Sequence, residues 1–333
     1  MSIWQHYNND EKLVILQQTA AAKKIVEQAV EKDWWVSAIL MALTKTSWAD
    51  FLQFKGGTSL SKSWGLINRF SEDIDLAISR SFFGLSDDTP KQQTVIRRKA
   101  FHFIEKMLID ELTKMLISSG ITDFDIKLVT ENSSAMVATI EVRYRSILET
   151  IVDYVSPVVK IEFSAMSLDE PYLEQEISTL IHSIYPNIDN EIKCVFKSVL
   201  PERTFLEKIF LLHEEYRKDK PRITRMSRHL YDLEKIMDTP FAKSALENTD
   251  LYETIISHRK KFNNIQNIDY KTHYPATIQI CPPENLISSW KDDYERLRES
   301  FIYDETKKTF EELTDRMLEL TNRIREIDLK NNG

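Results

Sequence analysis

The run Lys55-Gly56-Gly57-Thr58-Ser59-Leu60-Ser61-Lys62, followed by Arg69-Phe70-Ser71-Glu72-Asp73-Ile74-Asp75-Leu76, decides how this chain is read. Two adjacent glycines let a backbone turn tightly and approach a ligand closely. Thr58 and Ser59 then open a helix whose free N–H groups attract anions, so Gly56, Gly57, Thr58 and Ser59 suit the phosphates of a nucleotide. Asp73 and Asp75 alternate with Ile74 and Leu76. On a strand, both carboxylates leave one face with Cα atoms roughly 6–7 Å apart, a spacing that can hold Mg²⁺.

Outward from that run, Phe51-Leu52-Gln53-Phe54 reads as a short strand feeding the glycine loop, a helix runs from Ser59 to about Leu66, and Asp73 to Ile78 reads as the next strand. Helical spacing of Leu13, Ile15 and Leu16, of Ile25, Val26 and Val30, and of Trp35, Ile39, Leu40 and Leu43 predicts two or three helices before it. After a loop at Asp87-Asp88-Thr89-Pro90, a long helical stretch reaches about Ser119. Asp125 to Thr130 and Ala135 to Arg145 read as a hairpin, Val158 to Ser164 as a further strand, and Ile192 to Val199 as a last one. From Pro201 the pattern turns helical, with segments near 202–217, 222–238, 249–262, 284–301 and 305–328. These elements predict an α+β fold of two parts: residues 1–200, a mixed sheet flanked by helices, and residues 201–333, a helical C-terminal lobe.

Composition narrows the class. The 333 residues are 42% hydrophobic, enough for ordinary cores, and carry 44 basic against 52 acidic side chains, so any nucleic-acid surface must be local. Two distant cysteines, Cys194 and Cys281, exclude a disulfide framework or a cysteine-rich zinc site and fit a reducing cytoplasm. No apolar run reaches bilayer length, so a cytoplasmic protein away from the membrane is expected. The seven histidines show no paired ligand spacing.

Neither Gly-Gly-Thr-Ser nor Asp-Ile-Asp is specific alone. In strand–loop–helix–strand order they are, because nucleotidyl transfer needs a polyphosphate anchor beside carboxylates that hold metal across the α-phosphate. The run from Phe54 to Leu76 closely resembles the AbiEii/AbiGii toxin nucleotidyltransferases, a family that includes the MenT toxins. The likeness continues at Arg203-Thr204-Phe205-Leu206-Glu207-Lys208-Ile209 and Arg228-His229-Leu230-Tyr231-Asp232-Leu233, similar to the family's later lysine and aspartate motifs. It implies a polymerase-β-like nucleotidyltransferase core and roles for Lys208 and Asp232 at the active site.

Each of these residues also has a plainer reading. Lys208 sits with Thr204, Phe205, Leu211 and Leu212 on a helix, so it is either a lysine whose stem covers the core or an ammonium for the triphosphate. Asp232 lies four residues after Arg228, the spacing of a surface ion pair, or it positions Lys208 or the nucleotide. A third carboxylate is expected on a neighbouring strand, and Glu162 is the candidate, with Lys160 on the same face as the competing partner and Asp153 as the fallback. Arg69 could brace phosphates or carboxylates through its planar fork, whereas Glu72 should point away from Asp73 and is read as structural.

Residues 217–228 hold six basic side chains and one acid, a local cationic strip in an acidic chain. Arg217, Lys220, Arg222 and Arg225 are therefore candidate contacts for RNA. The expectation is a Mg²⁺-dependent enzyme that moves a nucleoside monophosphate from an NTP to an acceptor hydroxyl. The resemblance implies the tRNA 3′ end as acceptor, a role in toxin–antitoxin or phage-defence systems, and a cognate antitoxin as partner. The alternatives are a protein side chain or small molecule as acceptor, or a noncatalytic nucleotide-binding protein.

Overall fold

The computed structural model describes residues 6–84, 90–130, 137–149, 155–164, 171–263 and 265–327. The expected loop at Asp87-Asp88-Thr89 and the fallback acid Asp153 lie outside the described residues. The chain forms two compact units, one of Met1–Gly65 with Phe70–Val199 and one of Leu66–Arg69 with Leu200–Gly333.

In the first unit, α1 (Asn9–Lys23) opens with a capping box in which the Asn8 side chain and Glu11 satisfy each other's backbone N–H groups. The next helix, α2 (Glu27–Thr44), is apolar almost all round, and residues 29–43 are buried without a break. Such a helix can only be a core helix. Then follow β1 (Leu52–Lys55), α3 (Gly56–Lys62), β2 (Ile74–Ile78), α4 (Pro90–Phe103), a π-helical stretch Ile104–Leu108 and α5 (Ile109–Ser118). The unit continues through β3 (Phe124–Leu128), β4 (Val137–Tyr144), β5 (Val158–Ser164), β6 (Tyr172–Ser178), α6 (Leu180–Ile184) and β7 (Lys193–Val199).

The seven strands form one mixed sheet in the order β3-β4-β5-β2-β1-β7-β6. β2 runs antiparallel to β1 and parallel to β5, while β1 is parallel to β7. Alternation sets the buried face: Ala138, Ile140, Val142 and Tyr144 on β4, and Val159, Ile161 and Phe163 on β5, turn inward. The hairpin expected from the sequence is the antiparallel β3–β4 pair.

In the second unit the described elements longer than a single 3₁₀ turn are helices: α7 (Pro201–Glu215), α8 (Arg228–Ile236), α9 (Pro240–Glu247), α10 (Thr249–Phe262), α11 (Ile287–Ser300) and α12 (Phe310–Arg325). The fold class is α+β. No described helix is long and apolar enough to cross a membrane.

Two local readings are corrected. The helix expected from Ser59 begins at Gly56, so both glycines stand in its first turn. The helix expected over 222–238 is confined to Arg228–Ile236, because Arg225 takes φ +63, outside helical space.

Candidate active site

The register of the sheet brings the site together. Lys55 on β1 lies opposite Asp75 on β2, Asp75 lies beside Glu162 on β5, and Glu162 lies beside Thr139 on β4. Register partners on neighbouring strands share a face, so a lysine, two carboxylates and a hydroxyl form one row, each strand about 4.8 Å from the next. Asp75 and Glu162 are half-buried. Lys160 is exposed, and its cross-strand partner is Glu141.

Asp75 also meets the glycine turn. Gly56 has φ +77, a conformation that glycine alone adopts without strain, and a Cβ built on it would lie 1.9 Å from Asp75 Oδ2. The missing side chain is thus the space that the carboxylate fills.

The hydroxyls after the glycines divide their tasks. Thr58 is buried, and its Oγ1 donates to the Asp73 carbonyl while sharing a 2.9 Å hydrogen bond with Ser71 Oγ, so it ties α3 to the lead of β2. Ser59 Oγ is buried with no hydrogen-bond partner. An unpaired buried hydroxyl is costly, and a ligand oxygen would satisfy it.

Beneath these residues α2 supplies charge. Lys32 Nζ donates to Glu72 Oε2 at 2.5 Å and to the Ser156 carbonyl at 3.1 Å, and Asp33 accepts from Lys62 Nζ at 2.5 Å. Glu72 is buried in this pair, which agrees with reading it as structural.

Among the described residues no three acidic, histidine or cysteine side chains converge to hold a metal by themselves. The register sets the carboxylates of Asp75 and Glu162 beside the glycine turn, and Asp73 stands one residue before β2. That fits Mg²⁺, which commonly takes one or two protein carboxylates and fills its octahedron with phosphate oxygens and water.

The second unit gathers the other expected residues. Arg69 grips Asp232 with both prongs, Nε to Oδ1 at 2.6 Å and Nη2 to Oδ2 at 2.7 Å, and Lys208 Nζ reaches Oδ2 at 2.8 Å. All three are buried. Burial opposes ionisation of Asp232, but Arg69 and Lys208 outweigh it and hold its carboxyl well below the usual range. Lys208 is lowered, because burial and the neighbouring Arg69 exceed what one shared carboxylate returns. Asp232 is fully buried, so it belongs to this buried trio with Arg69 and Lys208 and not to a surface pair. Leu66–Arg69 is fixed in this unit by further bonds: Asn68 N–H donates to Tyr231 Oη at 3.2 Å, Tyr303 N–H to the Asn68 carbonyl at 2.9 Å, and Tyr303 Oη to the Arg69 carbonyl at 3.1 Å.

The cationic strip is partly committed to the protein itself. Arg222 and Lys218 both pair with the buried carboxylate of Glu215, and Arg217 donates to the His213 carbonyl and to Gln279. The backbone N–H of Arg225 donates to Asp293 at 2.6 Å. Lys220 is exposed.

Sequence reading missed Lys55, Lys32 and Asp33. The signal for the last two was present: charged residues in the middle of an otherwise apolar helix, where only a buried partner makes them tolerable.

By sequence, no curated protein matches the chain. Among solved structures it is similar to MenT4, the nucleotidyltransferase toxin Rv2826c from Mycobacterium tuberculosis H37Rv, with 14% identity over 93% of this chain and 97% of that one and a TM-score of 0.46. It is similar also to a protein from H. pylori provisionally described as a nucleotidyltransferase, with 16% identity over 91% and 96% of the two chains and a TM-score of 0.43. The family model of the nucleotidyl transferase AbiEii toxin of type IV toxin–antitoxin systems matches residues 38–316, and the chain belongs to that nucleotidyltransferase family.

Proposed function

We propose that this nucleotidyltransferase is Mg²⁺-dependent and transfers a nucleoside monophosphate from an NTP to an RNA hydroxyl, the tRNA 3′ end being the acceptor. The observation that carries the reading is the position of Asp75, packed on Gly56 and in register with Glu162. Asp75 and Glu162, with Asp73 two residues upstream, would hold the cation, which when bound neutralises charge on the phosphates. The first turn of α3, at Gly56, Gly57, Thr58 and Ser59, offers backbone N–H groups to the triphosphate, and the unpartnered Ser59 hydroxyl adds a donor. The acceptor oxygen attacks the α-phosphorus while its proton passes to a carboxylate. The bond to the bridging oxygen breaks and pyrophosphate leaves.

In the second unit we assign function to Lys208, the cation of the family's later motif, with Asp232 holding it in place and Arg69 holding Asp232. Arg217, Lys220, Arg222 and Arg225 would meet acceptor phosphates. The biological role we assign is growth arrest through a modified tRNA in the cytoplasm, relieved by a cognate antitoxin and used in phage defence; membership of a type IV toxin–antitoxin family supports the toxin–antitoxin part of it.

The test incubates the protein with each α-labelled NTP in turn and with total RNA, protein or small-molecule pools, with and without Mg²⁺, beside an Asp75→Ala control. Label in tRNA that needs Mg²⁺ and Asp75 supports the reading. Label in another pool replaces the acceptor, and no label with any NTP removes the enzymatic reading.

A further inference from the structure

One turn of the core helix α2 carries three consecutive charged residues, Glu31, Lys32 and Asp33, all buried. Successive helical residues point about 100° apart, so the three reach three different places. Glu31 accepts from Ser146 Oγ at 2.7 Å and Ile147 N–H at 2.8 Å, holding the loop after β4. Asp33 accepts from Lys62, the last residue of α3, and from Leu180 N–H at 2.7 Å. Lys32 binds Glu72 and the Ser156 carbonyl.

Lys32's two partners lead into the two parallel strands that carry the acids. Glu72 precedes Asp73 and β2, and Ser156 precedes Val158, the first residue of β5. Those strands run side by side with Asp75 and Glu162 in register. One ammonium therefore ties both strands at the same end, upstream of both carboxylates. Stability alone does not call for such a pair, since apolar residues of similar volume often serve as well. Register does, because a slip of one residue turns a carboxylate to the other face of the sheet.

We propose that Lys32 is a positioning residue for the acid pair: through Glu72 and the Ser156 carbonyl it sets β2 against β5, and with that the separation of the Asp75 and Glu162 carboxylates. The inference rests on the reading that these acids hold a divalent cation, and it deepens that reading by naming what fixes their spacing.

The experiment uses the full chain with Lys32→Met, the matched double variant Lys32→Met/Glu72→Leu, and Glu31→Gln as a control from the same helical turn. Mn²⁺ binding is titrated by electron paramagnetic resonance with a nonhydrolysable NTP analogue present, hydrogen exchange is followed in β2 and β5, and thermal melts are recorded. The double variant removes both charges of the pair together, so it should fold with a near-wild-type melt while binding Mn²⁺ about tenfold more weakly, as loss of a ligand-orienting partner does. Its β2 and β5 amides should exchange faster. Glu31→Gln should keep wild-type Mn²⁺ affinity. Wild-type affinity and exchange in the folded double variant overturn the proposal, and so does failure of the double variant to fold, which would make the pair a stability element. If the wild type itself binds no Mn²⁺, the metal reading fails separately, and exchange in β2 and β5 alone decides whether Lys32 clamps the strands.

Discussion

The Asp75 carboxylate lies directly against the Cα of Gly56, where a Cβ would stand 1.9 Å from Oδ2 and 2.8 Å from Cγ. Gly56→Ala therefore carries two penalties. Its positive φ costs about 1–2 kcal/mol with any side chain. The carboxylate must also move by more than an ångström, a displacement that costs roughly 10²-fold in rate at a reacting centre. Gly65→Ala is the control, since Gly65 has φ +60 but nothing near its Cβ position. Both variants should lose stability in urea melts, and only Gly56→Ala should lose pyrophosphate release. Equal activity in the two would remove Asp75 from the site.

Glu162 faces Asp75, whereas the competing lysine on its own strand is exposed and opposite Glu141. Glu162→Gln keeps shape and removes charge, so nucleotide transfer should fall by about 10² or more if the carboxylate takes the acceptor proton or holds the cation. Lys160→Met should leave transfer within about twofold, as surface pairs are worth little. Reversed outcomes would return Glu162 to an ordinary ion pair.

What the sequence made legible follows what each element exposes. The Gly-Gly-Thr-Ser run and the Asp-Ile-Asp alternation are local patterns, and the strands and turn they predict are present within a residue or two. β6 was missed because Tyr-Leu-Glu-Gln-Glu-Ile-Ser is an edge strand with most side chains exposed, so it shows no buried alternation. α9 was missed although Thr239 and Pro240 spell a helix start. The pairing of Asp75 with Glu162 joins residues far apart in the chain, and periodicity carries no information about which strands become neighbours. The same holds for Arg69 with Asp232: the sequence offered phosphates or carboxylates as partners for the arginine's fork, and nothing local pointed to a carboxylate so far along the chain.

Asp232 should be the most sensitive position of the second unit. Asp232→Asn leaves Arg69 and Lys208 as buried like charges, and breaking a buried pair costs about 3–5 kcal/mol. The folded carboxyl is held below its ordinary value, so its contribution is fully present above the unfolded pKa of about 3.9 and is lost as pH falls through the folded one. The stability gap between wild type and variant, from urea titrations, should be constant between pH 7 and 5 and narrow below about pH 4. A constant gap at pH 3 would contradict the ion trio.

His213 is fully buried, its Nδ1 accepting from Gln279 N–H at 3.0 Å beside Arg217 and its Nε2 at 3.0 Å from Thr272 Oγ1. Burial, then Arg217 and His273, push its pKa down to about 2. The folded protein binds fewer protons than the unfolded chain below pH 6.5, so stability present above that pH drains away as pH falls, by about 1.4 kcal/mol per unit. His213→Gln should flatten the slope of stability against pH between 6 and 4 by up to one proton. Parallel slopes would mean that His213 takes up a proton in the folded state.

The cationic strip separates into residues held by the fold and residues open to a ligand. The Arg222 side chain is 62% exposed although it touches Glu215, and Lys220 is exposed as well. Lys218 stays paired with Glu215 when Arg222 is removed, so Lys220→Ala/Arg222→Ala should fold normally. If both residues meet acceptor phosphates, the plot of log affinity for tRNA against log salt should lose about one to two units of slope, with weaker binding to every RNA sequence tested. Arg217, committed to His213 and Gln279, should contribute less to that slope and more to stability when changed to alanine. An unchanged slope in the double variant, measured by filter binding between low and physiological salt, would show that the strip serves the fold and that the acceptor is held elsewhere.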